Sequence, residues 1–414
     1  MIFEVDNVKG FSDYLPPESL MREAIINIAK KNYHLHGFLP IESPIIEFDE
    51  LMKPSALPLE ENDDAVSERF RLKDRAGRNL GLRYEFTFQL ARIFKQNPNI
   101  GLPLRKYQIG PVFRDEPVRL GRTRQFIQCD ADIIGDSSIK ADFECICLIK
   151  DILNELNLPF LNIKVNNLKL ISSILESVEI NAVKSIMREL DKLDKIGEDS
   201  VKLNLKKYAN SNTILTLFKL MEKPLDFFRE NAFEGSQEVE SLIKMCSLAG
   251  ISLKFSPNLM RGFDYYTGNI FEVSPPGKSS IMGGGRYDKL IGRFLNKEIP
   301  AVGVSFSIES IMANFPSELS SIKTNQTPKI IIISIGKDKE SINLSKSLRN
   351  SGISCSIFYG NIGKSLEYAN SFKVPFVAFL GDLEIAKKKL RLRDMHSGQE
   401  IELTEKQLIK KLSQ

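Results

Sequence analysis

Residues 320–328, Ser-Ser-Ile-Lys-Thr-Asn-Gln-Thr-Pro, interrupt a dense apolar patterning with a polar run that ends in proline. Such a run has little to bury, and its proline continues neither a helix nor a central strand, so the chain must fold as separate units on either side of it. The boundary separates 1–322 from 328–414. A length of 414 residues leads one to expect about two to three domains, which leaves room for a subdomain inside the first unit.

The second unit has the simpler pattern. A β-branched run at 329–335, a helical period at 337–350, a strand-like 353–359, a helical 363–372 and a strand-like 375–380 alternate, and this predicts a βαβαβ unit with a parallel core. Residues 390–395 and 400–403, joined by His-Ser-Gly-Gln, predict a hairpin, with a last helix after it. From Pro328 onward fifteen Lys and Arg face nine Asp and Glu, a net +6 against +4 for the whole chain. The tail is therefore the basic part, suited to a phosphate-bearing partner.

In the first unit Pro16-Pro17 precede a helix whose apolar pairs Leu20/Met21, Ala24/Ile25 and Ile28/Ala29, followed by Leu35, share one face, and Gly37 ends it. Pro40 and Pro44 restrict residues 38–47 to an edge strand or an interface. Helical periods dominate about 168–240, with Ile186, Leu190, Leu193 and Ile196 expected on one face, so this stretch is expected to be a helical insertion.

Composition removes several kinds of chemistry. Cys129, Cys145, Cys147, Cys246 and Cys355 show neither zinc-site spacing nor a disulfide framework, and His34, His36 and His396 are the only histidines. No metal site is expected. The longest apolar runs fall far short of the roughly 20 residues of a membrane helix, and the amino terminus does not resemble a signal peptide, so a cytoplasmic protein without membrane attachment is expected. Carboxylates, arginines and backbone must carry the chemistry.

Three segments have the residues for it. Phe113 to Phe126 places Arg114, Arg119, Arg122 and Arg124 in a loop between strand-like stretches, where planar guanidinium groups suit polyphosphate or RNA backbone. Residues 260–273 contain Arg261, Tyr265 and Tyr266. Residues 281–288 contain Gly283-Gly284-Gly285, where backbone can turn sharply or approach a ligand closely.

Together these segments resemble the histidyl-tRNA synthetase family of class II aminoacyl-tRNA synthetases, over essentially the whole chain. Lys9-Gly10-Phe11-Ser12-Asp13-Tyr14-Leu15-Pro16 is similar to its amino-terminal signature, and the long helix with Pro44 to the dimer-forming motif 1. Phe113-Arg114-Asp115-Glu116 fits the F-R-x-E of motif 2. Arg261 to Glu272 resembles R-G-x-D-Y-Y-T-G-x-x-F-E, and Gly284 to Asp288 fits G-G-R-Y-D. Leu82-Arg83-Tyr84-Glu85-Phe86-Thr87 and the insertion's Leu190-Asp191-Lys192-Leu193-Asp194-Lys195 are similar to archaeal and eukaryotic members.

The resemblance implies an α+β class II catalytic domain, an antiparallel sheet flanked by helices, with a helical insertion and a carboxy-terminal α/β anticodon-binding domain. It implies a homodimer that joins histidine to tRNA(His) through histidyl-adenylate, with ATP as substrate and Mg2+ bound through ATP. Arg114 and Arg261 would be the catalytic cations at the α-phosphate, and Glu116 would accept from the adenine amino group. Glu85, Thr87, Gln128, Asp132, Tyr265 and Tyr266 would hold histidine. Lys387, Lys388, Lys389, Arg391 and Arg393 would be available to tRNA phosphates.

The sequence departs from the family pattern at one position. Motif 3 usually ends in Glu-Arg, and here Glu309 is followed by Ser310. Weakened ATP binding is expected from this loss, unless another cation such as Arg286 or a bound magnesium takes the vacant place. The departure also admits an alternative, a synthetase-like histidine-binding regulatory subunit of ATP phosphoribosyltransferase. Arg261 and the tail from Pro328 onward argue against it, because that subunit typically lacks both features.

Overall fold

A computed structural model describes residues 5–52, 68–180, 182–261, 265–275, 280–324 and 328–413. The motif residues Gly262, Phe263 and Asp264, and linker residues 325–327, lie outside the described residues. Two compact units divide the chain, Met1–Ile322 and Lys323–Gln414.

In the first unit helix α1 (Glu18–Leu35) leads to β1 (Leu39–Pro40) and β2 (Ile46–Phe48), then to β3 (Arg71–Lys73), β4 (Asn79–Leu82) and α2 (Thr87–Gln96). The long strands β5 (Leu104–Phe113) and β6 (Gln125–Ile134) precede α3 (Ile139–Glu155) and β7 (Ile163–Asn167). Next come α4 (Leu168–Ser177), α5 (Val183–Leu190), α6 (Leu193–Ile196), α7 (Glu198–Leu205), α8 (Ser211–Met221), α9 (Leu225–Glu230) and α10 (Ser236–Leu248). Strands β8 (Leu253–Phe255), β9 (Asn269–Val273), β10 (Met282–Arg286) and β11 (Ala301–Ser307) and helices α11 (Ile308–Asn314) and α12 (Pro316–Leu319) complete it.

Eight strands form one sheet in the order β1-β5-β6-β11-β10-β9-β7-β8. Its interior pairs are antiparallel, but β1 runs parallel to β5 and β8 parallel to β7. The expected antiparallel sheet is thus a mixed one, with both parallel pairs at its margins. Pro40 lies in the edge strand β1, where its missing N–H costs no ladder bond. Strands β2, β4 and β3 form a separate small antiparallel sheet.

Side chains alternate across a strand, and β6 shows the result. Cys129, Ala131 and Ile133 enter a core with Ile25, Ala29 and Tyr33 of α1 and Cys145, Ile149 and Ile152 of α3. Gln128, Asp130 and Asp132, offset by one residue, take the other face, where they are also buried. The polar half of this strand is thus withheld from bulk water.

The insertion has its own core, in which Leu170, Ile174, Ile186, Leu190, Val201, Leu217 and Phe228 pack with Leu259 and Met260. The face expected to run from Ile186 to Ile196 is broken: Asp191 and Lys192 separate α5 from α6, and Ile196 is exposed. Helix α10 belongs to the main core instead, through Val239, Leu242 and Cys246.

The second unit comprises β12 (Ile330–Ser334), α13 (Asp338–Asn350), β13 (Cys355–Tyr359), α14 (Ile362–Ser371), β14 (Phe376–Leu380), α15 (Asp382–Lys387), β15 (Leu390–Asp394), β16 (Glu400–Leu403) and α16 (Glu405–Leu412). Its strand order is β13-β12-β14-β15-β16, parallel among the first three and antiparallel in the hairpin. Helix α15 was not expected; it is six residues long, too short to establish a helical period. Much of the predicted phosphate surface is internally neutralised. Lys387 pairs with Glu402 at 2.6 Å, Arg391 with Glu384 and Glu400 at 3.6 Å each, and Arg393 with Glu400 at 3.7 Å.

Candidate active site

On the face of the eight-stranded sheet opposite α1 and α3 lies a cleft of about 950 Å3, its open mouth included. Glu85, Thr87, Arg114, Glu116, Gln128, Asp132, Arg261, Tyr265 and Tyr266, which come from four separate stretches of chain, all line it. Of the three histidines, His34 meets the Tyr107 hydroxyl, His36 pairs with Asp151 and His396 is exposed, and none lines the cleft.

One end is arginine-rich and is formed by the turn between β5 and β6. Arg114 stacks over the rings of Tyr84 (4.4 Å) and Phe126 (5.1 Å) and donates to the Tyr84 carbonyl at 3.3 Å. The aromatic faces fix the orientation of the guanidinium, which lines the cleft. Glu116 pairs with Arg122 at 3.4 Å, and Arg124 pairs with Asp115 at 3.1 Å. The loop is braced from the amino terminus: the Gly10 carbonyl accepts from the N–H of Arg124 at 2.9 Å. Gly10 has φ of +87°, and a Cβ there would meet Arg124 Cγ at 2.7 Å.

Glu309, the carboxylate of the motif 3 pattern, has a structural task. It accepts from the Ile127 N–H at 3.0 Å and pairs with Arg22 at 2.8 Å, joining α11 to β6 and α1. Ser310 lines the cleft beside it, where Gly121 of the arginine loop packs so closely that a Cβ would lie 3.1 Å from the Ser310 Cα.

The other end is carboxylate-rich. Glu85 sits just before α2 and accepts the Phe88 N–H at 2.5 Å, so the amino end of that helix faces its charge. Burial still raises its carboxyl above the usual range, against the bonds from Thr87 and Phe88. Asp132 pairs with the fully buried Lys106, its register neighbour on β5, and accepts the Tyr287 hydroxyl. Tyr265 packs on Phe88 and Tyr287, each at 5.7 Å, and on Tyr266 at 4.8 Å, giving this end aromatic walls.

The glycine run is an extended strand, β10, in the middle of the sheet. Its missing side chains matter more than any freedom to turn: a Cβ on Gly283 would lie 1.5 Å from Arg261 Nη1. Across the site a Cβ on Gly303 would lie 1.9 Å from Asp132 Oδ1. Arg261 thus reaches the cleft across bare backbone, donating to the Phe271 carbonyl at 3.4 Å, with Glu272 at 3.8 Å.

Arg286 does not replace the missing motif 3 cation. It is buried against Asp142, with Nε at 3.1 Å, donates to the Asp136 and Ser138 carbonyls at 3.0 Å, and does not line the cleft. Arg122, on the loop that packs against Ser310, does line it. Sequence reasoning assigned no role in the site to Asp130, Lys106 or Tyr287. The alternation of Gln128, Asp130 and Asp132 was the available signal for Asp130.

A family model described as Histidyl-tRNA synthetase matches residues 10–311, and one described as Anticodon binding domain matches 329–414. Histidine--tRNA ligase 1 of Bacillus anthracis is 33% identical over 423 residues, covering 97% of this chain and 98% of that protein. Histidine--tRNA ligase of Helicobacter pylori is 32% identical, covering 95% and 94%. These relatives are bacterial. The histidyl-tRNA synthetase of Nostoc sp. PCC 7120 shares the fold with a TM-score of 0.85 at 24% identity, over 99% of each chain.

Proposed function

Because the chain belongs to the histidyl-tRNA synthetase family and is a histidine–tRNA ligase, we propose that its adenylation chemistry runs in the cleft described above. The observation that carries this reading is the convergence on one cleft of two unlike ends, one arginine-rich and one carboxylate-rich with aromatic walls. A zwitterionic amino acid and a nucleoside triphosphate need such a division.

In the first half-reaction a histidine carboxylate oxygen attacks the ATP α-phosphorus and pyrophosphate leaves. Arg114 and Arg261 stabilise the charge that builds on the α-phosphoryl oxygens, while Glu116 accepts from the adenine amino group. Glu85, Thr87, Gln128, Asp132, Tyr265 and Tyr266 hold histidine, the aromatic walls fitting its ring and the buried polar groups rejecting rings that cannot bond to them. In the second half-reaction a terminal ribose hydroxyl of tRNA attacks the activated carbonyl and AMP leaves, with proximity supplying much of the rate.

Residues 1–322 carry this chemistry and 328–414 read the anticodon arm of tRNA(His). Magnesium arrives on the triphosphate. The protein works in the cytoplasm as a homodimer, a reading supported by the exposed apolar side chains Leu35, Leu39, Ile45, Ile46 and Phe48 around the end of α1 and strands β1 and β2.

Histidine-dependent exchange of pyrophosphate into ATP, followed by charging of tRNA(His), tests this reading. Ser310 favours one rival, the regulatory subunit that binds histidine without activating it. Histidine binding with no exchange at millimolar ATP and magnesium would support that rival.

A further inference from the structure

The turn between β5 and β6 carries Arg114, Arg119, Arg122 and Arg124, like charges that repel one another, so it needs bonds from outside itself to hold one shape. Residues 8–14, which lie in no helix or strand, supply them. The Gly10 carbonyl accepts from the N–H of Arg124 at 2.9 Å and of Gln125 at 3.3 Å, while the Arg124 carbonyl accepts from the Arg114 N–H at 2.8 Å. Three stretches of chain thus lie side by side at the base of the turn. The Phe11 ring packs on Phe113, with centroids 6.5 Å apart, and edge-on against Phe70 at 5.8 Å. Three residues on, the Arg22 guanidinium lies over the Tyr14 ring, 3.6 Å from its centroid, and Arg22 is the partner of Glu309. One short segment therefore meets both the arginine turn and the brace of α11, whose Ser310 packs on Gly121 of the same turn.

Arg124 converts this contact into a position for the nucleotide end of the cleft, which it does not itself line. Its stem lies flat on Gly10, where a Cβ would meet Arg124 Cγ at 2.7 Å and its Cβ and Cδ at 2.9 Å. From there Nε donates to the Glu116 carbonyl at 3.3 Å and Nη2 pairs with Asp115 at 3.1 Å. Glu116 and Arg114 leave the same strand end but are held differently. Arg114 has the rings of Tyr84 and Phe126 and the Tyr84 carbonyl. Glu116 is held at its carboxylate by Arg122, itself on the turn, and at its carbonyl by Arg124. Loosening the amino-terminal contact therefore moves Glu116 before it moves Arg114.

We propose that Gly10 and Phe11 are positioning residues for ATP: by fixing Arg124 they set Glu116 at the place of the adenine amino group, and so they govern the choice of base from outside the cleft. The inference rests on the reading of Glu116 as the acceptor for that amino group. A site built to accept a hydrogen bond rejects the analogue that cannot donate one, and it does so only while the acceptor stays in place. Gly10 suits the task because its φ of +87° and its missing side chain let the Arg124 stem rest directly on backbone. Phe11 adds an apolar anchor on Phe113, the residue before Arg114.

Pyrophosphate exchange by the full-length protein, measured with ATP and with purine riboside triphosphate, which lacks the amino group, tests both steps. Wild type should favour ATP by at least about tenfold in KM. Gly10→Ala and Phe11→Ala should each raise the KM for ATP by about tenfold and leave that for the analogue within about twofold, so that the preference is largely lost. The kcat at saturating ATP, the KM for histidine and the melting temperature should hold, because Arg114 and the carboxylate end keep their own partners. Arg124→Ala should reproduce the loss of preference, and Phe11→Leu, which keeps an apolar side chain against Phe113, should retain the wild-type preference. A wild type that uses both nucleotides equally would overturn the reading of Glu116 and the proposal with it. A wild-type preference for ATP that survives in both Gly10→Ala and Phe11→Ala would overturn the positioning role alone, as would an equal rise in KM for both nucleotides, the mark of a contact that only supports the fold.

Discussion

Arg261 occupies the space that a side chain on Gly283 would need, with its Nη1 1.5 Å from the place of that Cβ. Both residues line the cleft, but they come from different segments, so the arginine is held where it is by an absence on the neighbouring strand.

Gly283→Ala should therefore disable the site through Arg261. Pyrophosphate exchange should fall by at least about 10²-fold in Gly283→Ala and in Arg261→Ala, with little loss of histidine affinity in either. The double variant should be little worse than either single one, because both remove one interaction. Additive losses would separate the glycine from the arginine.

Arg122 lines the cleft on the loop that packs against Ser310, and it is the cation expected to compensate for that serine. Arg122→Ala should raise the Michaelis constant for ATP roughly ten- to a hundredfold, the scale of one charge-assisted contact. Ser310→Arg in that background should recover part of it, since Ser310 also lines the cleft. An Arg122→Ala protein with an unchanged constant would remove the loop cation from ATP binding.

Glu309 predicts a stability effect distinct from catalysis. It is buried, pairs with Arg22 and accepts from the backbone of β6, so Glu309→Ala leaves a buried guanidinium and an N–H without their partner. Breaking a buried pair from one side costs about 3–5 kcal/mol. Urea unfolding should show a loss of that order, and one under about 1 kcal/mol would contradict the structural role.

Removal of the second unit separates the two half-reactions. A chain ending near Ser321 should keep histidine-dependent exchange if folded, while tRNA charging falls to a small fraction of the full-length value. Binding of tRNA to the intact chain should weaken steeply with salt. Because Lys387, Arg391 and Arg393 are already paired with carboxylates, charge reversal at Lys388 or Lys389 should reduce tRNA binding more than alanine at Arg393. Equal charging by the short and full-length chains would refute the division of labour.

The parts of this architecture that were legible in the sequence are those where one local rule suffices. The alternation in the second unit and the arginine loop between β5 and β6 needed only periodicity and charge, and the cleft residues came from motif likeness. Lys106 is illegible for a physical reason: a charged residue on a strand ordinarily faces water, and only the covering of both sheet faces turns it inward. The buried role of Arg286 is illegible because its partner, Asp142, lies 144 residues away. For Gly283 the sequence showed glycine but not which property of glycine was in use. The break at Asp191 depends on how α7 packs against α5, which no local pattern contains.

Leu259 and Met260 are core residues of the helical insertion, and Arg261 follows them directly in the chain. An inserted subdomain is ordinarily the portion of a protein that descent can lengthen, shorten or exchange without disturbing the parent chemistry. Here that freedom is curtailed, since a lineage that replaced these helices would have to preserve the apolar seat beneath Met260 or lose its hold on the adjacent guanidinium. The insertion and the catalytic sheet are in this respect heritable only as a pair.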